Sequence, residues 1–185
     1  MNMLETDTRT RLIKTAARLF REKGFHGTGI AEILLKSDTP KGSLYHHFPA
    51  GKADLAKAAA SWASEGMLEI IDAAFEDASD FQDGATTLCH KLAKFFDTAQ
   101  EWQSCPVSSA LFDGPGNEEF RDFADQIYTD WTDSMDRHAS HLGLETDDAG
   151  KAAETLLLAI QGGWTMARAK RSSEVLRRIP SLLYG

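Results

Sequence analysis

Apolar residues recur at helical spacing along nearly the whole chain, and no stretch shows the strict alternation of a strand. Leu12, Ala16, Leu19 and Phe20, flanked by Ile13 and Ala17, predict a first helix over residues 8–23. Gly24 follows where a left-handed residue ends a helix, with Phe25 placed to fold back on the last turn. Ile30, Ile33 and Leu34 form the stripe of a second, short helix, with Thr28 as its natural cap. Ser37, Asp38 and Thr39 break that pattern, because such side chains bond their own backbone and favour turns. Pro40 then suits the first position of a third helix, capped by Thr39. Its Leu44 and Phe48, four residues apart, pack inward as a pair.

From Lys52 an Ala-rich pattern runs to Phe75 as one long helix. Residues 77–83 read as a loop. Residues 85–102 are helical, with Leu88, Leu92, Phe95, Phe96 and Ala99 as the stripe. A short segment over 107–112 ends at Gly114-Pro115-Gly116, and Asn117 caps the next helix. After a loop at 143–150, residues 152–169 are apolar on more than one side, and 173–183 close the chain. The prediction is an all-α fold of about nine helices. A helix apolar on two sides needs a partner beyond its own subunit's core, and Gly162-Gly163 allows close approach there.

The third helix leaves Lys41, Ser43, Tyr45, His46 and His47 off its apolar face. So short a helix, carrying donors, acceptors and one fixed cation and braced across a turn, suits a DNA major groove. Charge agrees with this. Residues 1–57 hold ten Lys/Arg against six Asp/Glu, whereas residues 58–185 hold ten against twenty-two. A basic head on an acidic body meets phosphate with one end and repels it with the other. The start of the long helix, with Lys52 beside it, is a second place for phosphate. No run approaches the ~18 apolar residues of a membrane span, and the first twenty residues are too charged for a signal peptide. Two cysteines, Cys89 and Cys105, fit a reducing compartment, so the reading is cytoplasmic.

The string PKGSLYHHFPAGK, Pro40 to Lys52, resembles the helix-turn-helix of TetR-family transcriptional repressors, in particular the LmrA/YxaF-like subgroup. The likeness is strong over about residues 7–68. It continues more weakly at Ser104-Cys105-Pro106-Val107, at Gln161-Gly162-Gly163 and from Ala167 to Ser172. The chain departs from the family's Ala-Gly-Val turn with Asp38 and Thr39. Asp visits left-handed conformations more readily than most residues, while Thr39 in place of valine predicts looser packing.

The resemblance implies a three-helix DNA-binding domain over 1–51 and a ligand-binding and dimerisation domain over 52–185. It implies a homodimer, each subunit presenting residues 40–47 to one half of a palindromic double-stranded operator and released by a small lipophilic or aromatic inducer. On that likeness Lys41 meets a guanine edge or phosphate, Gly42 allows close backbone approach, and Tyr45 meets phosphate or a thymine methyl. Pro40 opens the reading helix, Ser43 and His46 contact the groove, and Thr28 and Lys52 clamp phosphates.

Phe95, Trp102, Cys105, Phe112, Trp131, Met135 and Trp164 are more aromatic and soft bulk than a small helical body needs. Singly each reads as core; together they are compatible with an apolar inducer cavity. Convergent nucleophile, base or metal groups have no spacing signal, so neither an enzyme nor a cofactor is expected. His46 and His47 are adjacent and point to different sides. His138 and His141 share a helical face without an evident carboxylate. The competing reading is an all-α small-molecule-binding protein or enzyme that keeps the head as structure only.

Overall fold

The computed structural model describes residues 3–98, 105, 107–112 and 118–185. Among them are nine α-helices, one π-helical turn and no strand, as the periodicity predicts. By their contacts the residues fall into two compact units. The first is Met1–Glu65 with Cys105–Asp125, and the second is Gly66–Ser104 with Gln126–Gly185. This grouping follows contacts, whereas the division at residue 51 followed the motif.

In the first unit, α1 (Met3–Gly27) buries Leu12, Ala16, Leu19 and Phe20 completely. As expected, the regular helix breaks at Gly24. That residue takes φ 72°, ψ 170°, open to glycine and rarely to others, and a further helical turn then reaches Gly27. Phe25 does fold back, its ring 5.8 Å from Phe20 and edge-on to Phe120 at 5.2 Å. Helices α2 (Ile30–Lys36) and α3 (Lys41–His47) follow, seven residues each. Neither has the side-chain cap expected of it: Gly29 and Pro40 hold the N-cap positions. The Thr28 hydroxyl instead points back to α1, and Thr39 donates to the Ser37 carbonyl at 3.1 Å. Thr39 is buried, so the turn is filled by a polar side chain with its hydrogen bond made internally. Asp38 is left-handed, φ 49°.

Helix α4 (Lys52–Phe75) starts after Gly51, whose carbonyl accepts the first helical bond from Leu55. The Asp54 carboxylate reaches back to the Ala50 N–H at 2.7 Å, satisfying a donor at the helix entry. A π-helical turn, Ser108–Phe112, packs on α1 where the sequence predicted a short segment.

The second unit holds the end of α4, α5 (Phe81–Thr98), most of α6 (Glu118–His141), α7 (Thr146–Lys170), α8 (Glu174–Arg177) and α9 (Ile179–Tyr184). Helix α5 begins four residues before the predicted start, with Asp83 in its first turn favoured by the helix dipole. Helix α7 likewise takes in Thr146, Asp147 and Asp148, shortening the predicted loop at 143–150. The single C-terminal helix expected over 173–183 is two helices. Pro180 lies one residue into α9, where its missing N–H interrupts the ladder from α8.

Phe75 stacks on both Phe81 and His138, at 5.3 and 5.2 Å. His138 has the carboxylate partner that its own helix does not supply: Asp72 Oδ1 lies 2.9 Å from Nε2 and also accepts from Ser134 at 3.1 Å. These bonds hold the Asp72 carboxyl below its ordinary range, the His138 contact contributing most. Gly84 sits flat against the Phe75 ring, which a Cβ there would overlap. Gly84→Ala is therefore expected to cost about 1–3 kcal/mol by forcing the ring aside. A shift of the urea midpoint measures it, and an unchanged midpoint would mean that the ring yields freely.

Candidate nucleic-acid interface

Helix α3 is held by one face and offers the other. Leu44 is fully buried and Phe48 is 3% exposed, anchoring the helix on α1 with Arg9 5.6 Å over the Phe48 ring. Pro40, Lys41, Gly42, Tyr45 and His46 are exposed, and Ser43 and His47 half-buried. Gly42 has nothing within 4 Å of where a Cβ would stand, so any constraint there comes from a partner. The Lys41 ammonium lies 6.0 Å from the Tyr45 ring, and among the described residues it forms no ion pair. Other cations of the head are neutralised locally. Lys23 and Lys36 both pair with Glu32, at 2.6 and 2.9 Å.

The two flanking residues are placed differently. Thr28 is 1% exposed, its hydroxyl 2.8 Å from the Gly24 carbonyl and 3.2 Å from that of Leu19. It ties the entry of α2 to the end of α1. Lys52, at the start of α4, rests its ammonium 4.2 Å over the Phe25 ring, and partial burial lowers its pKa. Partial desolvation of an ammonium over an aromatic face is offset by the cation–π attraction.

Two contributors were not visible in the motif. Arg11 donates to the Asp38 carbonyl at 3.3 Å and braces the turn from α1. Gly51, with φ 68°, lies under Tyr45: a Cβ would stand 3.3 Å from the ring's Cε1. The only signal for Gly51 was its place before Lys52, and twenty-seven residues separate Arg11 from its acceptor.

The aromatic cluster divides. Trp131, Met135 and Trp164 are buried in the second unit, and Tyr128 stands edge-on to Trp131 at 5.5 Å. Phe95 departs from the expected stripe: it is 37% exposed, 6.2 Å from Trp164, while Phe96 takes the buried place at 5.3 Å. Cys105 is buried in the first unit, and Trp102 and the Phe112 side chain lie outside the described residues. A groove of about 630 Å³ runs along α7, α8 and α9, lined by none of these seven. Burial pushes the Cys89 thiol up to about 12, which keeps it protonated and unreactive. Among the described residues no three His, Cys, Asp or Glu side chains gather to hold a metal. No described helix is long and apolar enough to cross a membrane.

Comparison with known proteins agrees with this arrangement. Residues 12–59 match the bacterial regulatory proteins of the tetR family, and residues 82–181 match the C-terminal domain of LmrA/YxaF-like transcriptional regulators. The HTH-type transcriptional regulator LmrA of Bacillus subtilis is 28% identical over 96% of this chain and 95% of its own. YxaF of the same organism is 29% identical over 85% of this chain and 83% of its own. The fold is shared with reduced Escherichia coli NemR, at a TM-score of 0.81, 20% identity and coverage of 96% and 95% of the two chains. The chain therefore belongs to the TetR family of DNA-binding transcriptional regulators, with an LmrA/YxaF-like C-terminal domain, and not to a family of enzymes.

Proposed function

We propose that the chain is a repressor that binds a palindromic operator as a homodimer and is released by a small lipophilic or aromatic inducer. The observation that carries the DNA reading is α3 itself, seated by Leu44 and Phe48 with Lys41, Gly42, Tyr45 and His46 turned to solvent. In this reading residues 1–51 act as the DNA-binding domain and 52–185 as the ligand-binding and dimerisation domain. Lys41 reads a guanine edge or meets phosphate, Gly42 lets the backbone come close, and Ser43, Tyr45 and His46 complete the groove contacts. Pro40 sets where the helix begins. Thr28 acts through the entry of α2 that it holds in place, because its hydroxyl is already bound inward. Lys52 leaves the Phe25 ring to meet a phosphate. Two copies are required because half-sites one helical turn apart cannot both be met by one head.

The inducer reading rests on the aromatic content of the second unit, where Phe95 adds an exposed ring beside buried Trp164. Trp131, Met135, Cys105, Phe112 and Trp102 are its further candidates. An inducer releases DNA only through different affinities for the bound and free conformations.

A gel shift on DNA upstream of the chain's own and neighbouring genes tests the reading, and no specific shift at physiological salt would overturn it. Point variants refine it. Lys52→Ala is expected to weaken operator and scrambled DNA alike and to lower the salt slope by about one. Lys41→Ala is expected to cost about 1–3 kcal/mol on operator and to relax preference at one base pair. Equal losses on both DNAs for Lys41→Ala would reduce it to a phosphate contact.

A further inference from the structure

The loop from α3 to α4 is tied down on both sides of Gly51. The Gly51 N–H donates to the Phe48 carbonyl at 2.8 Å, and its carbonyl accepts from Leu55 at 3.1 Å. The Asp54 carboxylate holds the preceding N–H, that of Ala50, at 2.7 Å. Gly51 is thereby fixed against the end of α3 and the start of α4. It holds φ 68°, a backbone that glycine adopts without strain. Its α-carbon is bare, and two side chains close over it. A Cβ there would stand 3.3 Å from Tyr45 Cε1 and 4.0 Å from Ile30 Cδ1. The second distance is ordinary van der Waals contact, whereas the first is closer than carbon atoms settle. Cε1 is bonded to the carbon that carries the hydroxyl, so the polar end of the Tyr45 ring is what rests here. The Lys41 ammonium lies 6.0 Å over the same ring. Tyr45 is 43% exposed, so the ring that a Cβ would crowd has solvent to move into.

We propose that Gly51 is a positioning residue for operator binding, its bare α-carbon being the seat that fixes how the Tyr45 ring lies on the reading face. The inference rests on the DNA reading of α3 and adds a residue outside that helix. An exposed ring on a short helix has rotamers to lose when it meets DNA, and losing them costs affinity. A ring already seated on the loop has fewer to lose, and its hydroxyl starts where it is needed. Any side chain at position 51 crowds that seat. The ring then shifts by a few tenths of an ångström or turns to another staggered rotamer. Because Tyr45 faces solvent, this displacement strains the core little. Its cost falls on the contact with DNA.

A double-mutant cycle on operator DNA tests it. Gly51→Asn adds the Cβ while keeping a residue type that tolerates left-handed backbone. It is expected to weaken operator binding roughly threefold to tenfold, the equivalent of one neutral hydrogen bond. In a Tyr45→Ala background the same substitution is expected to change affinity by less than about twofold, since no ring remains to displace. Gly51→Ala adds the same Cβ and backbone strain as well. It is expected to match Gly51→Asn in affinity loss but to lower the urea midpoint further. Equal losses from Gly51→Asn with and without the Tyr45 ring would overturn the proposal, because Gly51 would then act on the loop and not through Tyr45. Affinity losses that follow the urea midpoints of the two Gly51 variants would overturn it too. The seat is also read without DNA, as a nuclear Overhauser contact between the Gly51 α-protons and the Tyr45 ring ε-protons. Its absence in the unchanged chain would overturn the proposal and leave the DNA reading standing. A contact present in a chain that shifts no operator would overturn the DNA reading, and the role of Gly51 in binding with it.

Discussion

Leu44→Ala is expected to abolish operator binding although Leu44 touches no DNA in the proposed complex. The side chain is fully buried beneath α3, and it is the one residue within that helix that is buried. Removing three methyl-level groups from a closed core costs about 2–5 kcal/mol when the site cannot collapse. The head has little with which to absorb such a loss. Seven residues make a helix far below the length that is stable alone, and α3 has no side-chain cap. Helix α3 is thus expected to detach or melt before α1 does. Titration of operator and a urea unfolding curve, run on the same variant, check this. Operator affinity within threefold of the parent, with an unmoved midpoint, would mean that Phe48 and Arg9 suffice to seat the helix. Tyr45→Phe is the contrast, because it removes only one neutral hydrogen bond from an exposed ring and should cost about 0.5–1.5 kcal/mol on DNA.

Trp131→Ala is expected to carry the largest stability loss in the second unit, about 3–5 kcal/mol. Trp131 is 1% exposed and is, among the described residues, the largest side chain so fully buried, flanked edge-on by Tyr128 and followed one helical turn later by buried Met135. The expectation also discriminates between core and cavity. An indole that borders open space would lose only part of its packing on truncation, and the unfolding midpoint would move by well under half of the expected amount. An indole packed on all sides forfeits its full contact. Trp131→Phe, keeping a ring, is expected to fall between the two. Far-UV circular dichroism against urea is the measurement.

What was legible in the sequence was whatever depends on spacing within one helix. The stripe Leu12, Ala16, Leu19, Phe20 is the buried face of α1, and Leu44 with Phe48 seats α3, because period and burial are the same fact for an amphipathic helix. The left-handed turn was legible at Asp38 for a similar local reason, since its side-chain type tolerates that backbone. The bounds of α5 and α7 were missed because acidic first turns extend a helix beyond its apolar pattern. The role of Thr28 was missed because a hydroxyl next to a helix start can cap forward or bond backward. The carbonyls of Leu19 and Gly24 decide it, and they come from another element. Asp72 as partner of His138 and Arg11 as brace for Asp38 were beyond reach altogether, since the partners lie sixty-six and twenty-seven positions apart in the chain. Phe95 and Phe96 show the limit within a helix. Adjacent aromatics on the edge of a stripe read alike, and only packing tells which one is turned in.

The two seven-residue helices of the head, both without side-chain caps, have a consequence for how their amides exchange with solvent. An isolated helix of that length is almost unpopulated in water, so α2 and α3 persist only while docked on α1. Their amide hydrogens, such as the Phe48 N–H bonded at 2.8 Å to the Leu44 carbonyl, can be replaced by deuterium only when docking is lost. Protection of the α3 amides then reports directly on the free energy that holds the reading surface in place. It is a local quantity, measurable without DNA and independent of whatever stabilises α5 to α9.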